Sequence, residues 1–188
     1  MEPPPNKAVL ALDLATTTGW AIATPQAVAA WPVCLLGAKG PIDGVTYGSV
    51  NFSGGGRGLL FLGFSRWLDQ LIEREGIGSA AIEAPVQART MQAMRIAGGL
   101  AGLSEMVCAF RGVKSVDVAP TTVKKHFSGI GNAKKPLMMA ICDARGWLPQ
   151  DNNAGDALAV LDWAIHSFGN VTNTPTKTRK TCSRRKQK

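Results

Sequence analysis

Three acidic residues stand in apolar surroundings where a carboxylate has little structural use. Asp13 lies within the run VLALDLA, Glu83 ends the apolar stretch of SAAIEAPV, and Asp156 opens the apolar part of DNNAGDALAVLDWAIHSF. Burying an ionised carboxylate costs several kcal/mol unless a cation or hydrogen bonds compensate for the lost water. Three such residues in one chain therefore predict a bound cation.

The surroundings of the three acids indicate which cation to expect. Few basic residues lie near them in the sequence, and no cluster of His and Cys accompanies them. Carboxylate oxygens are ligands of hard divalent ions, so we expect Mg²⁺, for which Mn²⁺ can substitute. Two ions held in this way can activate a water and stabilise the leaving oxygen in phosphodiester hydrolysis. Phosphodiester cleavage is the predicted chemistry.

Each acid also has a purely structural interpretation. Asp13 could accept hydrogen bonds from the TTT turn beside it, and Glu83 could pair with Arg89 or Arg95. Asp156 could favour a helix N-terminus through the helix dipole. The metal site disappears only if all three alternatives hold.

The apolar pattern predicts the elements that position these acids. VLALDLA is typical of a buried central strand, and WAIA after Gly19 predicts a second strand that pairs back as a hairpin. VTYGSVNF, SAAIEAPV and VKSVDVA predict three more strands. Residues 24–44, rich in Pro and Gly, indicate irregular structure or an insertion.

Helices are predicted between and after the later strands. LLFLGFSRWLDQLIERE has apolar residues at helical spacing, and a long helix should follow over residues 89–110. Two short helices, TTVKKHF and KKPLMMAICDARGW, precede a last helix that begins near DNNAGD. Three antiparallel strands followed by strand–helix alternation predict an α/β fold, a mixed five-stranded sheet flanked by helices.

Length and composition predict one domain over residues 8–168, after a flexible N-terminus (1–7). The 188 residues are 45% hydrophobic, which is enough for one core. The formal charge is +8, and the expected disordered tail, 169–188, has no acid and seven bases: Lys177, Arg179, Lys180, Arg184, Arg185, Lys186 and Lys188. Such a tail suits a polyanion, although it could merely be a solubilising terminus.

The compartment is predicted from what the sequence lacks. The four cysteines are far apart without CxxC pairs, which is typical of reduced thiols. The N-terminus MEPPPNK is unlike a secretory signal, and every apolar run is interrupted well short of a membrane span. We therefore expect a soluble, cytoplasmic protein.

Four segments together resemble the motifs of RuvC-type Holliday junction resolvases, in the RNase H-like, retroviral-integrase superfamily. They are VLALDLATTTGWAI, AAIEAPV, VAPTTVKKHFSGIGNAKKPLMM and DNNAGDALAVLDWA, in the family's order and over most of residues 8–166. The resemblance implies an RNase H-like fold, a homodimer, and symmetric magnesium-dependent nicking of branched DNA. It assigns the metal ligands to Asp13, Glu83 and Asp156.

The sequence departs from the family at a fourth metal ligand. The family usually has Asp or His three residues before the last acid, and here that residue is Asn153. Asn153 and Asp156 would share a helix face, and an amide oxygen can ligate Mg²⁺ weakly. Asp151 is the charged candidate if the chain is still in a loop there. Both remain open.

A basic segment precedes the last helix. The resemblance implies that lysines among Lys124, Lys125, Lys134 and Lys135 approach the scissile phosphate, and we predict Lys124 and Lys134 for that catalytic role. The alternative is a solvated helix surface. His126 in the same segment is given no role.

A second departure concerns the recognition of DNA. Just after the glutamate, the family often has an aromatic residue that can stack on an unpaired base, and here that residue is Val86. The enzyme would then hold junctions differently, or accept a wider set of branched substrates such as forks and flaps. Arg89, Arg95 and the tail, with the four lysines, would contact phosphates instead.

The tryptophans and the helix containing Met91 and Met106 lie mostly in apolar surroundings. The tryptophans are interpreted as core, and the helix containing Met91 and Met106 as a dimer interface or an internal core helix.

Asp13 with TTTG also fits an actin-like ATPase or sugar kinase, although the chain is too short for two such domains. Asn153 would suit a DNA-binding protein that has lost catalysis. The proline-led N-terminus, insertion and tail would suit a phage or prophage enzyme.

Overall fold

The structure, a computed structural model, describes residues 7–34, 43–85 and 90–169. The predictions made for the N-terminus before Lys7, for Val86, for Arg89 and for the basic tail beyond Gly169 lie outside the described residues.

Five strands form one mixed sheet. They are β1 (Ala8–Asp13), β2 (Thr17–Ala23), β3 (Val45–Asn51), β4 (Ile77–Glu83) and β5 (Lys114–Val118), arranged in the order β3-β2-β1-β4-β5. The pairs β1–β2 and β2–β3 are antiparallel, whereas β1–β4 and β4–β5 are parallel. The predicted hairpin and the predicted mixed sheet are confirmed.

The helices described cover both faces of the sheet. They are α1 (Pro25–Cys34), α2 (Arg57–Glu75), α3 (Met91–Phe110), α4 (Pro120–Ser128), α5 (Lys135–Ala144) and α6 (Asn152–Gly169). One core lies between the sheet and α1, α4, α5 and α6, which we call the α6 layer. The other lies beneath α2 and α3.

The central strands are buried on both faces, which explains their unbroken apolar sequence. Along β1, Val9 and Ala11 point into the core of the α6 layer, whereas Leu10 and Leu12 point towards α2 and α3. Because side chains alternate along a strand, Asp13 is on the same side as Val9 and Ala11. The acid therefore faces the α6 layer.

Residues 25–34 form a helix, so the prediction of irregular structure there is wrong. Pro25 occupies the first helical position, where its missing N–H costs nothing, and Thr24 Oγ1 accepts a hydrogen bond from the Ala27 N–H at 3.3 Å. Trp31 on this helix is fully buried. The sequence interpretation took Pro25 as a break when it marks a start.

A buried carboxylate, Asp162, ties the α6 layer together. Its oxygens accept hydrogen bonds from Trp31 Nε1 at 2.9 Å and from Arg145 at 2.8 Å, and His126 Nε2 lies 3.2 Å away. Burial raises the pKa of Asp162, but the hydrogen bond from His126 and the Arg145 charge outweigh it and lower the pKa to about 2. One anion thus links α1, α4 and α5 to α6.

Helix α3 leaves much of its apolar surface exposed. Only Leu100, Ser104, Val107 and Cys108 are buried, while Met91, Met94, Met106 and Phe110 are exposed. Interpretation as an internal core helix is therefore wrong. We also expected no segment to be long and apolar enough to span a membrane. By length and composition alone, α3 meets that criterion, so this expectation is wrong.

Candidate metal centre

Asp13 and Glu83 end neighbouring parallel strands. Leu12 pairs with Ile82 in the β1–β4 register, so the residue that follows on each strand lies at the same edge of the sheet. Ala81 points into the core of the α6 layer, and Glu83, two residues later, has the same orientation. Strand register thus brings the two carboxylates side by side on one face.

Asp156 reaches the same edge because α6 begins directly on β2. Gly19 is paired with Asp13 in the hairpin, and a Cβ atom at Gly19 would overlap the backbone carbonyl of Asn153 in the first turn of α6. Only glycine allows this close approach. Gly19 in the Thr-Gly-Trp segment therefore lets α6 lie close to β2, which brings Asp156 to this edge of the sheet.

Burial raises the pKa of all three carboxyl groups, and neighbouring acids raise the pKa of Asp13 and Glu83 further. Burial, and then the charge of Asp156, raise the pKa of Asp13 to about 7. Burial, and then Asp13 and Asp156, raise the pKa of Glu83 to about 8. Burial also raises the pKa of Asp156, against the opposing effect of Lys135 and Lys124. Such a cluster is unfavourable when all three groups are ionised without a cation.

The purely structural interpretations of the acids find no support in the described residues. Thr18 Oγ1 donates to the Ala15 carbonyl at 2.7 Å, and no described hydrogen bond joins the TTT turn to Asp13. Arg95 is exposed and forms no described ion pair with Glu83. Asp156 lies beyond the first turn of α6, where the helix dipole has little effect.

Two lysines lie close enough to act on the carboxylates. Lys135 Nζ is 3.6 Å from Asp156 Oδ2, and the charges of Lys124 and Lys135 lower the pKa values of all three acids. Lys134, which we predicted beside the phosphate, is exposed at the residue before α5 and has no such effect. The structure brings Lys135 to the site where the sequence interpretation put Lys134.

The two candidates for the fourth ligand differ in what they contact. Asp151 Oδ1 accepts the Ala154 N–H at 2.9 Å and Oδ2 accepts the Ser49 hydroxyl, so the carboxylate caps α6. Burial raises the pKa of Asp151, but these hydrogen bonds outweigh it and lower the pKa. Asn153 lies one helical turn before Asp156 and has no side-chain hydrogen bond within the described residues. The charge of Asp151 nevertheless raises the pKa of Asp13, so both residues stay candidates for the fourth ligand.

The donor set fits a hard divalent cation. Three carboxylates supply oxygen ligands, and Asp151 and Asn153 are the candidates for a fourth. Lys135, the one cation within ion-pair distance of the three acids in the described residues, contacts only Asp156. A cavity of about 420 Å³ opens beside Asp13 and Glu83, with walls from the Leu14–Thr16 segment and from the start of α3. The cavity leaves room for a ligand beside these two carboxylates.

A second acid and histidine cluster was missed by the sequence interpretation. Asp162, His126 and His166 lie within metal-ligand distance of one another. However, Arg145 and Trp31 already occupy the Asp162 oxygens, so the cluster is accounted for by hydrogen bonding. The sequence pattern that could have indicated this cluster is the four-residue spacing of Asp162 and His166, which places both on one face of a helix.

Comparison with solved structures identifies the fold. The chain matches RuvC from Thermus thermophilus with a TM-score of 0.63 at 18% identity, covering 85% of this chain and 95% of that one. The fold is that of RuvC. T. thermophilus RuvC in complex with a Holliday junction substrate matches with a TM-score of 0.62 at 14% identity, covering 87% and 96% of the two chains.

A eukaryotic protein shares this RuvC fold. The yeast mitochondrial Holliday junction resolvase Ydc2 matches with a TM-score of 0.60 at 10% identity, covering 88% of this chain and 80% of that one. No protein-family model and no curated protein matches the sequence. At these identities the likeness establishes the RNase H-like, RuvC fold that the motifs indicated, and the activity has to be argued from the site.

Proposed function

We propose that the protein is a magnesium-dependent, structure-selective endodeoxyribonuclease that nicks Holliday junctions or other branched DNA. The observation that carries the proposal is the convergence of Asp13, Glu83 and Asp156 at one edge of a RuvC fold, where burial raises the pKa of each carboxyl group. The solved RuvC complex with a Holliday junction supports this substrate class.

Asp13, Glu83 and Asp156 would hold the metal, with Asp151 or Asn153 as the fourth ligand. Two Mg²⁺ ions, when bound, supply activation of the attacking water and stabilisation of the leaving oxygen. Hydrolysis breaks one phosphorus–oxygen bond and adds the water oxygen to the phosphorus.

Lys124 and Lys135 would stabilise negative charge that builds up on the phosphate. Both lie close enough to the carboxylates to lower their pKa values. A positive charge fixed beside the reacting phosphate needs no rearrangement as the transition state forms, which makes its stabilisation effective. Lys134 and Lys125, which are exposed, are assigned to DNA binding with Arg95.

The exposed face of α3 is the proposed dimer interface. Met91, Met94, Met106 and Phe110 expose apolar surface along one helix, which is unusual for a monomer. A two-fold dimer would bury this face against itself and provide two active sites, as symmetric nicking of a four-way junction requires.

The experiment is a nicking assay on matched substrates. The full chain is incubated with Mg²⁺ and a four-way junction, a fork, a flap or a linear duplex of the same sequence. We expect nicks in the branched substrates and little cleavage of the duplex. Equal cleavage of the linear duplex contradicts structure selectivity. Junction binding without cleavage would favour the non-catalytic DNA-binding protein, and ATP hydrolysis without DNA the kinase-like alternative.

A further inference from the structure

A shallow groove lies between α4 and α6, outside the metal centre. Its lining comprises Thr121, Thr122, Lys125, His126, Gly131 and Trp163. It combines a basic side chain, two hydroxyls and an aromatic ring, and none of the described residues that line it is acidic. Lysines and hydroxyls of this kind contact phosphates, and aromatic rings stack on bases.

The groove lies along the two helices, α4 and α6, that also carry residues of the metal centre. Asp156 and Trp163 are seven residues apart on α6, which places them on nearly the same face, two turns or about 10.5 Å apart. On α4, Lys124 acts on the catalytic carboxylates while its neighbour Lys125 lines the groove.

Trp163 is the tryptophan that lines the groove. Trp31 and Trp147 are fully buried, whereas Trp163, like Trp20 and Trp67, is partly buried: it packs on the core of the α6 layer and also lines the groove. A smaller apolar residue would serve for core packing alone. Partial exposure of the indole leaves aromatic surface for a ligand.

The charges of the groove favour an anionic ligand. His126 is held by Asp162, with its Nε2 atom 3.2 Å from Oδ2. Lys125 is exposed and forms no ion pair within the described residues, so its ammonium group can bind a phosphate. Thr121 and Thr122 are exposed at the start of α4, where the helix dipole also favours an anion.

We infer that this groove binds an unpaired segment of the DNA next to the cleaved phosphodiester, with a base stacked on Trp163 and a backbone phosphate on Lys125. The inference rests on the proposed function and adds a single-strand subsite to it. It also supplies a stacking residue in a fold position other than that of Val86.

The test measures affinity without cleavage. In an Asp13→Asn background, Kd is determined for a forked DNA with a single-stranded thymidine arm and for a fully paired duplex. Trp163→Leu removes the aromatic face and Trp163→Phe retains one. We expect Trp163→Leu to weaken binding of the fork by about 5- to 140-fold, the equivalent of about 1–3 kcal/mol, and Trp163→Phe to restore most of it. Duplex affinity should change little.

The contribution of Lys125 is tested by its salt dependence. Lys125→Gln should lower the slope of log K against log salt by about 1 for the fork. Lys114→Gln is the matched control, because Lys114 is an exposed lysine at the opposite end of β5 from the metal centre. It should leave affinity for the single-stranded arm unchanged.

Three outcomes overturn the inference: equal affinity of the Leu and Phe variants, equal losses on fork and duplex, or an unchanged salt slope in Lys125→Gln. If Trp163→Leu does not fold, as judged by circular dichroism, the Lys125→Gln slope decides. Failure of the proposed nuclease function is separate, since it appears as absent cleavage by the parent chain while these binding differences persist.

Discussion

At the scale of single residues, the acidic cluster is a source of instability that a bound cation would relieve. The raised pKa values of Asp13 and Glu83 mean that the folded, metal-free protein retains protons that the unfolded chain releases above about pH 4. Stability should therefore fall as the pH rises from about 4 through the folded-state values of about 7 and 8.

Asp13→Asn removes one of these charges and should stabilise the metal-free protein. After allowance for solvent screening, we expect a gain of roughly 1–2 kcal/mol in the free energy of unfolding at pH 8 and little change near pH 4. Urea titrations in EDTA measure it. Mg²⁺ should then raise the unfolding temperature of the parent but not of the variant. A variant less stable than the parent at pH 8 would contradict this account.

Substitution of the two lysines at the start of α5, Lys134 and Lys135, should have different effects on nicking. Lys135→Ala should slow single-turnover nicking by about 10²-fold or more at saturating DNA, because its charge lies beside the reacting phosphate. Lys134→Ala is the matched control and should chiefly weaken DNA binding. Equal loss of the nicking rate in both variants would mean that the ion pair of Lys135 with Asp156 has no catalytic consequence.

Residue type and spacing were enough to predict the three acids but not the choice between adjacent lysines. Asp13 and Glu83 were conspicuous because each interrupts an apolar strand. Lys134 and Lys135 are adjacent and have the same side chain. Which of them faces the carboxylates depends on the residue at which α5 begins. Asp162 was overlooked because the arginine and tryptophan that bind it come from distant parts of the chain.

At the scale of elements, the contact between β2 and α6 sets the geometry of the site. The backbone of Asn153 occupies the space that a side chain at Gly19 would need. Gly19→Ala should therefore push α6 away, destabilise the fold by roughly 1–3 kcal/mol and reduce nicking more than DNA binding. Thermal unfolding and single-turnover nicking measure the two effects.

Gly58→Ala is the control for this change. A methyl group at Gly58 in α2 meets no atom within 4 Å. Replacement of glycine by alanine within an exposed helix stabilises it by up to about 1 kcal/mol. If Gly19→Ala proved as harmless as Gly58→Ala, the close approach of α6 to β2 would not be what positions Asp156.

Elements with strong apolar periodicity were predicted well, and those that begin at ambiguous residues were not. Strands β1 and β4 followed from apolar runs that end in an acid, and α2 from its helical spacing. Helix α1 was missed because Pro25 either breaks or starts a helix, and only tertiary burial of Trp31 decides between them.

At the scale of the whole molecule, the exposed face of α3 is the proposed dimer interface. Met94→Glu places a charge within the proposed interface and should convert a dimer into monomers in sedimentation velocity experiments. Leu148→Glu is the control, because Leu148 is exposed on the loop before α6. A Met94→Glu protein that sediments as a dimer would exclude this face as the interface.

The central claim is that Asp13, Glu83 and Asp156 form one metal centre that cleaves branched DNA. The most direct measurement is the Mg²⁺ dependence of four-way junction nicking by the parent, by Asp156→Asn, and by Asp143→Asn, which changes an exposed acid of α5. We predict Mg²⁺-dependent nicking by the parent and by Asp143→Asn, and at least a 10²-fold loss in Asp156→Asn. Nicking that persists in EDTA, or that survives Asp156→Asn, would contradict the account.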